Sequence, residues 1–130
     1  MFDARQTTSG GRAAAELHHP GLDEIDLPSL LHALSDPARL EIVRSLACCE
    51  GGELACKAIS LPVSKATASH HFKVLRLAGV IAQHDEGTRR ISSLRRDDLE
   101  ARFPGLLDSV LRAAQAEEAV PATAGSGPSA

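Results

Sequence analysis

Residues 64–79, Ser-Lys-Ala-Thr-Ala-Ser-His-His-Phe-Lys-Val-Leu-Arg-Leu-Ala-Gly, constrain this chain more than any other stretch. Ser64 is suited to accept from the free backbone amides of a first helical turn. Ala68, Phe72 and Leu75 recur at i, i+4 and i+7, and Gly79 supplies a left-handed stop. The pattern predicts one capped helix with an apolar face. Its opposite face carries Lys65, Ala66, Ser69, His70 and Lys73. Short hydrogen-bonding and basic side chains on one helical face are what contact with base edges and phosphates requires.

The flanks strengthen this reading. Upstream, Glu53 to Ile59 is a short helix candidate ended by the turn-forming Ser60-Leu61-Pro62-Val63, so that two helices meet across a tight connection. Downstream, Val80 to His84 and Arg90 to Leu94 are strand candidates around Asp85-Glu86-Gly87-Thr88, a hairpin with basic residues at its tip. The predicted fold is mainly α with a small β-hairpin wing, a winged helix-turn-helix.

Elsewhere, a first helix is predicted from about Leu27 or Pro28 to Leu34. Asp36 caps a second, with Pro37 at its first position, where a missing amide hydrogen costs nothing; it runs to about Cys48 with Ile42 and Leu46 toward the core. The last helical stretch starts near Asp97, is interrupted or restarted at Pro104 and ends near Ala116. Leu99, Phe103, Leu106, Leu107, Val110, Leu111 and Ala114 give it a wide apolar stripe. Residues 1–24 and 119–130 have no apolar period and read as disordered tails, leaving one domain over 25–118.

The formal net charge of −3 argues at first against a nucleic-acid partner, but the distribution reverses it. Between Lys57 and Arg96 stand eight Lys or Arg against two acids, about +6, so the remainder carries about −9. A basic segment of this kind neutralises phosphates and makes binding salt-dependent. No apolar run reaches the roughly 18 residues of a membrane span, and the N-terminus lacks a signal-peptide pattern. A cytoplasmic location is expected, with no membrane partner. Three cysteines make no paired disulfide framework.

Three ordered segments resemble the ArsR (SmtB/ArsR) family of bacterial transcriptional repressors. They are Leu34-Ser35-Asp36-Pro37-Ala38-Arg39-Leu40-Glu41-Ile42-Val43, then Ser64 through Leu75, then Ala78-Gly79-Val80-Ile81, within a likeness that covers roughly 27–115. The resemblance implies a double-stranded DNA partner, with contacts from positions matching Lys65, Ala66, Ser69 and His70 and with Thr67 nearby; Ser64 and Lys73 border the same surface. Lys65 suits either guanine or a phosphate, and Ala66 offers only a methyl contact. Arg89 and Arg90 fit a wing on the phosphate backbone or in a narrow minor groove, although alternate residues on a strand point to opposite faces. His71 is expected to be partly buried instead.

The apolar stripe of the last helix needs a cover, and a two-fold homodimer supplies one. The resemblance implies that the first and last helices pack against their symmetry mates, which adds Leu30 and Leu31 to Leu99, Phe103, Leu106, Leu107, Val110 and Leu111. Packing of the stripe on its own domain is the alternative. A dimer would set two recognition helices about one DNA turn apart, facing an inverted-repeat operator.

Cys48, Cys49 and Cys56 are candidates for a thiol sensor that takes a soft metal or metalloid ion, or for a redox switch. The other reading, that they are small buried apolar residues, has the greater weight. The resemblance implies Glu-Leu-Cys-x-Cys at one well-known family site, where this chain has Glu53-Leu54-Ala55-Cys56-Lys57; all six histidines (18, 19, 32, 70, 71, 84) lie outside the last helix, the other family site. Beyond a soft metal or metalloid ion at these cysteines, no cofactor is expected. No phosphate loop, nucleophile elbow or zinc-protease helix appears, so no enzyme is expected. The reading is a DNA-binding regulator, a repressor in which an inducer acts through the dimer. A winged helix used for protein contact, or a constitutive regulator, is the competing one.

Overall fold

The structure is a computed structural model that describes residues 17–119. It divides between Arg95 and Arg96 into two compact units, where the sequence predicts one span over 25–118. The first unit holds α1 (Leu27–Leu34), α2 (Pro37–Cys48), β1 (Glu53–Ala55), α3 (Lys65–Leu77), β2 (Ile81–Glu86) and β3 (Arg89–Leu94). The second holds α4 (Arg96–Arg102) and α5 (Leu106–Ala119). No described helix is long and apolar enough to cross a membrane.

Local chemistry sets the helix ends. Asp26 accepts from the Ser29 amide at 2.9 Å, Asp36 accepts from Ala38 and Arg39 at 2.8 and 3.2 Å, and Ser64 accepts from Thr67 at 3.1 Å. Each satisfies amides that have no partner inside the helix. At the end of α3, Gly79 N–H donates to Arg76 and Val80 N–H to Leu75, both at 3.0 Å, with Gly79 at φ 88°. This is a Schellman stop. Gly79 is also a close-approach position, since a Cβ there would lie 2.6 Å from Ile25 Cγ1.

The core of the first unit gathers Ile25, Leu30, Ile42, Val43, Leu46, Phe72, Leu75, Val80 and Ile81, all buried. Ile42 and Leu46 stand where the α2 pattern put them. The sheet order is β1-β3-β2, antiparallel throughout. The hairpin turn is tighter than predicted, because Asp85 and Glu86 pair with Arg90 and Arg89 and only Gly87-Thr88 is left to turn.

Two predictions are overturned. Glu53–Ile59 is not an α-helix: Glu53–Ala55 is a strand paired with Ser93, Ser92 and Ile91, and Cys56–Ala58 is a single 3-10 turn. Gly51 and Gly52, both at positive φ, turn the chain straight back from α2. Ladder hydrogen bonds to β3 then satisfy the backbone that a helix would otherwise have satisfied internally. Residues 17–24 are not a featureless tail either. Leu22–Glu24 is a 3-10 turn, Pro20 is buried, and side chains of the first unit hold the backbone of His18 and Pro20. The rest of the predicted tails, 1–16 and 120–130, lies outside the described residues.

In the second unit the helical stretch breaks at Phe103-Pro104-Gly105, as expected, with Gly105 N–H donating to Glu100 at 3.1 Å. Leu99, Leu107 and Ala114 are buried, whereas Phe103, Leu106, Val110 and Leu111 are half-buried.

Candidate nucleic-acid interface

The exposed face of α3 is continuous. Ser64, Lys65, Ala66, Thr67, Ser69, His70 and Lys73 are all exposed, Ala68 is half-buried, and Phe72 and Leu75 are buried beneath. His71, the next residue, turns inward and is 8% exposed. Around it lies a buried polar seam. Arg39 donates from Nε to the Ala33 carbonyl at 2.7 Å and from NH2 to the His32 carbonyl at 3.3 Å, while its NH1 meets His71 Nδ1 at 3.2 Å. Asp36 Oδ2 stands 3.8 Å from His71 Nε2. Burial alone would raise the Asp36 carboxyl. The amides of Arg39 and Ala38, then the charges of His71 and Arg39, hold it below the ordinary carboxylate value. One guanidinium thus ties the end of α1, the start of α2 and the inner side of α3 together.

Sequence reasoning missed Arg39 as the residue that positions this helix. The available signal was its place in the apolar stripe of α2, at i relative to Ile42, Val43 and Leu46 at i+3, i+4 and i+7.

The basic segment is smaller than its sequence count. Arg76, 9% exposed, donates to the His18 carbonyl at 3.1 Å and to Gln83 Oε1 at 2.9 Å. Arg95 donates to the Pro20 carbonyl at 2.8 Å, and Arg96 stands 3.9 Å from Asp108. Arg90 makes two hydrogen bonds to Asp85, at 2.7 and 3.2 Å. This contact holds the Asp85 carboxyl low and raises the Arg90 guanidinium. Lys57, Lys65, Lys73 and Arg89 are exposed, as are Arg90 and Arg96, although these last two face acids. The strand register puts Arg90 on the sheet face of Gln83 and Ser92, and Arg89 on the other. The two wing arginines therefore do not act as a pair.

Between α3 and the hairpin lies a groove of about 900 Å³. Its lining includes the apolar Phe72, Ile59 and Val63, the polar Arg90 and Gln83 of the hairpin, and Lys65, Ser69 and Lys73 of α3.

The three thiols do not assemble. Cys48 is exposed; Cys49 Sγ donates to the Leu46 carbonyl at 3.2 Å; Cys56 Sγ lies 3.4 Å from both Ser92 Oγ and Gln83 Nε2. Among the described residues, the group whose potential ligand atoms all lie within 4.8 Å of one another is instead Glu53, His84 and Glu86. All three are exposed, and His84 and Glu86 already pair at 2.9 Å. The predicted dimer contacts of the first helix separate, since Leu30 is 2% exposed inside its own protomer and Leu31 is 46% exposed.

A capped helix with an open polar face, preceded by α2 and the 3-10 turn Cys56–Ala58 and followed by a hairpin, defines a winged helix-turn-helix protein of the DNA-binding class. A model described as "Helix-turn-helix domain" matches residues 34–84. The "Uncharacterized HTH-type transcriptional regulator YceK" of Bacillus subtilis (strain 168) is 39% identical over 83 residues, which cover 62% of this chain and 82% of that protein. Among solved structures, a "Possible transcriptional regulator for arsenical resistance" superimposes with a TM-score of 0.51 at 26% identity, covering 71% of this chain and 97% of the other. An ArsR family transcriptional regulator gives a TM-score of 0.50 at 18% identity, over 70% of this chain and 84% of that one. The chain belongs to the ArsR family of winged helix-turn-helix transcriptional regulators. Such regulators are not enzymes.

Proposed function

We propose that this regulator is a homodimeric repressor that binds an inverted-repeat operator through α3 of each protomer. The observation that carries the reading is the unbroken exposed face of α3, on which Lys65, Ala66, Thr67, Ser69, His70 and Lys73 are all open to solvent above a buried Phe72 and Leu75. Lys65 and Lys73 supply phosphate or guanine contacts, Ser69 and His70 supply adaptable donors, and Ala66 offers a methyl surface to thymine. Arg89 extends the contact along the backbone from the hairpin.

Self-association is supported by α1, where Leu27 and Leu31, one helical turn apart, are 41% and 46% exposed. The half-buried Phe103, Leu106, Val110 and Leu111 of the second unit add apolar surface. Two protomers joined on a two-fold axis present α3 to successive major grooves. The test is a fluorescence-anisotropy titration of the reduced protein on DNA from upstream of its own gene against a scrambled duplex at the same salt. Salt-sensitive binding at two protomers per site, preferring the upstream DNA by about a thousandfold, is expected. Equal weak binding to both duplexes would favour a winged helix that serves a protein partner.

A further inference from the structure

We propose that the groove between α3 and the β2–β3 hairpin is a binding site for a small amphipathic organic anion, and that its occupation excludes DNA. The second half rests on the reading of α3 as the DNA-contacting helix; the first does not. At about 900 Å³ the groove falls in the range of small-molecule sites, about 300–1,000 Å³. Ile59, Leu61, Val63 and Phe72 give it an apolar wall that a phosphodiester would leave wet. Against this wall stand five cations, Lys57, Lys65, Lys73, Arg76 and Arg90, and one acid, Asp85, which is already bound to Arg90.

Arg76 is the independent pointer. It lines the groove at 9% exposure, and its two hydrogen bonds go to neutral oxygens, the His18 carbonyl and Gln83 Oε1. No carboxylate among the described residues pairs with it. A guanidinium has five N–H donors, so donors remain unused in a place where an uncompensated charge is costly. Burial, and then the nearby Arg90, push its proton affinity down. A carboxylate or sulfonate head at Arg76, with its apolar body along Phe72 and Val63, would satisfy both the charge and the wall. Lys65, Ser69 and Lys73 belong to the same groove and to the exposed face of α3, so ligand and DNA compete for the same atoms.

The probe is octanoate, titrated calorimetrically into the full-length protein, with octanol, acetate and inorganic phosphate as comparisons. One saturable octanoate site per chain is expected, with each comparison at least about tenfold weaker, since a charge-assisted hydrogen bond and the apolar contact are each worth that much. Arg76→Gln should weaken octanoate about tenfold. Should that variant fail to fold, Ala68→Phe, which fills the groove from a half-buried helix position, must reduce binding by as much. No saturable site, phosphate or acetate binding as well as octanoate, or full binding to Ala68→Phe would each overturn the proposal. In the anisotropy assay octanoate should release bound DNA; undiminished DNA binding at saturating octanoate would overturn the exclusion. Failure to bind DNA at all would sink the repressor reading while the octanoate titration still decides the site.

Discussion

Arg39 and His71 meet side chain to side chain inside the first unit, NH1 of the guanidinium 3.2 Å from Nδ1 of the imidazole, with both residues buried. Guanidinium nitrogens only donate, so this contact is a hydrogen bond when Nδ1 carries no proton and accepts, and Nε2 on the other side of the ring stands 3.8 Å from Asp36 Oδ2. The contact joins α2 to the inner face of α3 while the same arginine holds the last carbonyls of α1. The outward set of α3 is therefore fixed by a polar fork as well as by apolar packing.

Arg39→Met should destabilise the protein by about 2–4 kcal/mol, because two carbonyls and an imidazole lose their donor in a buried place. Arg39→Lys should recover little of it, since one ammonium cannot span the three acceptors. Urea unfolding midpoints measure both. A loss below about 1 kcal/mol for the methionine variant would show the seam to be incidental.

Lys65→Glu should weaken operator binding by about a hundredfold or more, replacing an attraction to phosphate or guanine with repulsion, while the fold and the dimer are kept because Lys65 is exposed. Anisotropy together with sedimentation separates the two effects. Unchanged operator affinity would refute the placement of the recognition helix.

Gly79→Ala should cost about 2–4 kcal/mol, the left-handed φ contributing about 1–2 and overpacking the rest. The new Cβ would sit 2.6 Å from Ile25 Cγ1. In a double-mutant cycle with Ile25→Ala the two losses should fall short of additive, since removing Ile25 removes the clash. Strict additivity would assign the whole cost to the backbone.

His19 accepts the Gln83 amide through Nε2 at 2.9 Å, a contact that requires the neutral ring. Burial lowers its pKa most; a hydrogen bond with the Leu17 backbone opposes this, and the charges of Arg76, Arg95 and His18 add to the lowering. The folded value lies below the ordinary 6.5. The stabilisation is therefore complete above about pH 6.5 and is lost as the pH falls through the folded value. Urea midpoints should drop on going from about pH 7.5 to about pH 5, and drop less in His19→Gln. An identical drop in both proteins would remove His19 as the cause.

Leu31→Glu should shift the protein toward monomer without unfolding it, because the side chain is 46% exposed in the protomer. Sedimentation at several concentrations measures this. An unchanged dimer would move the interface off α1.

What the chain specifies by itself is local. Asp26, Asp36 and Ser64 cap the helices they precede, Pro37 opens α2, Gly79 closes α3 and Gly87 turns the hairpin, because a cap or a turn involves backbone groups only a few residues away. The exposed face of α3 was legible for the same reason, since helical period alone separates Lys65, Ser69 and Lys73 from Phe72 and Leu75. The tertiary structure decided whatever depends on a distant partner. Glu53–Ala55 became a strand only because β3, some forty residues on, offers it a ladder. Residues 17–24 acquired a place because Arg76, Gln83 and Arg95 reach back to them. Those inward contacts also removed two arginines from the apparent basic surface, and Gln83 and Ser92 engage Cys56 in the 3-10 turn after β1 while Cys49 Sγ turns to the Leu46 carbonyl. A charge or a thiol is counted in the sequence, but its direction is set by which acceptor lies within about 3 Å after folding, and that acceptor is nowhere near it in the chain.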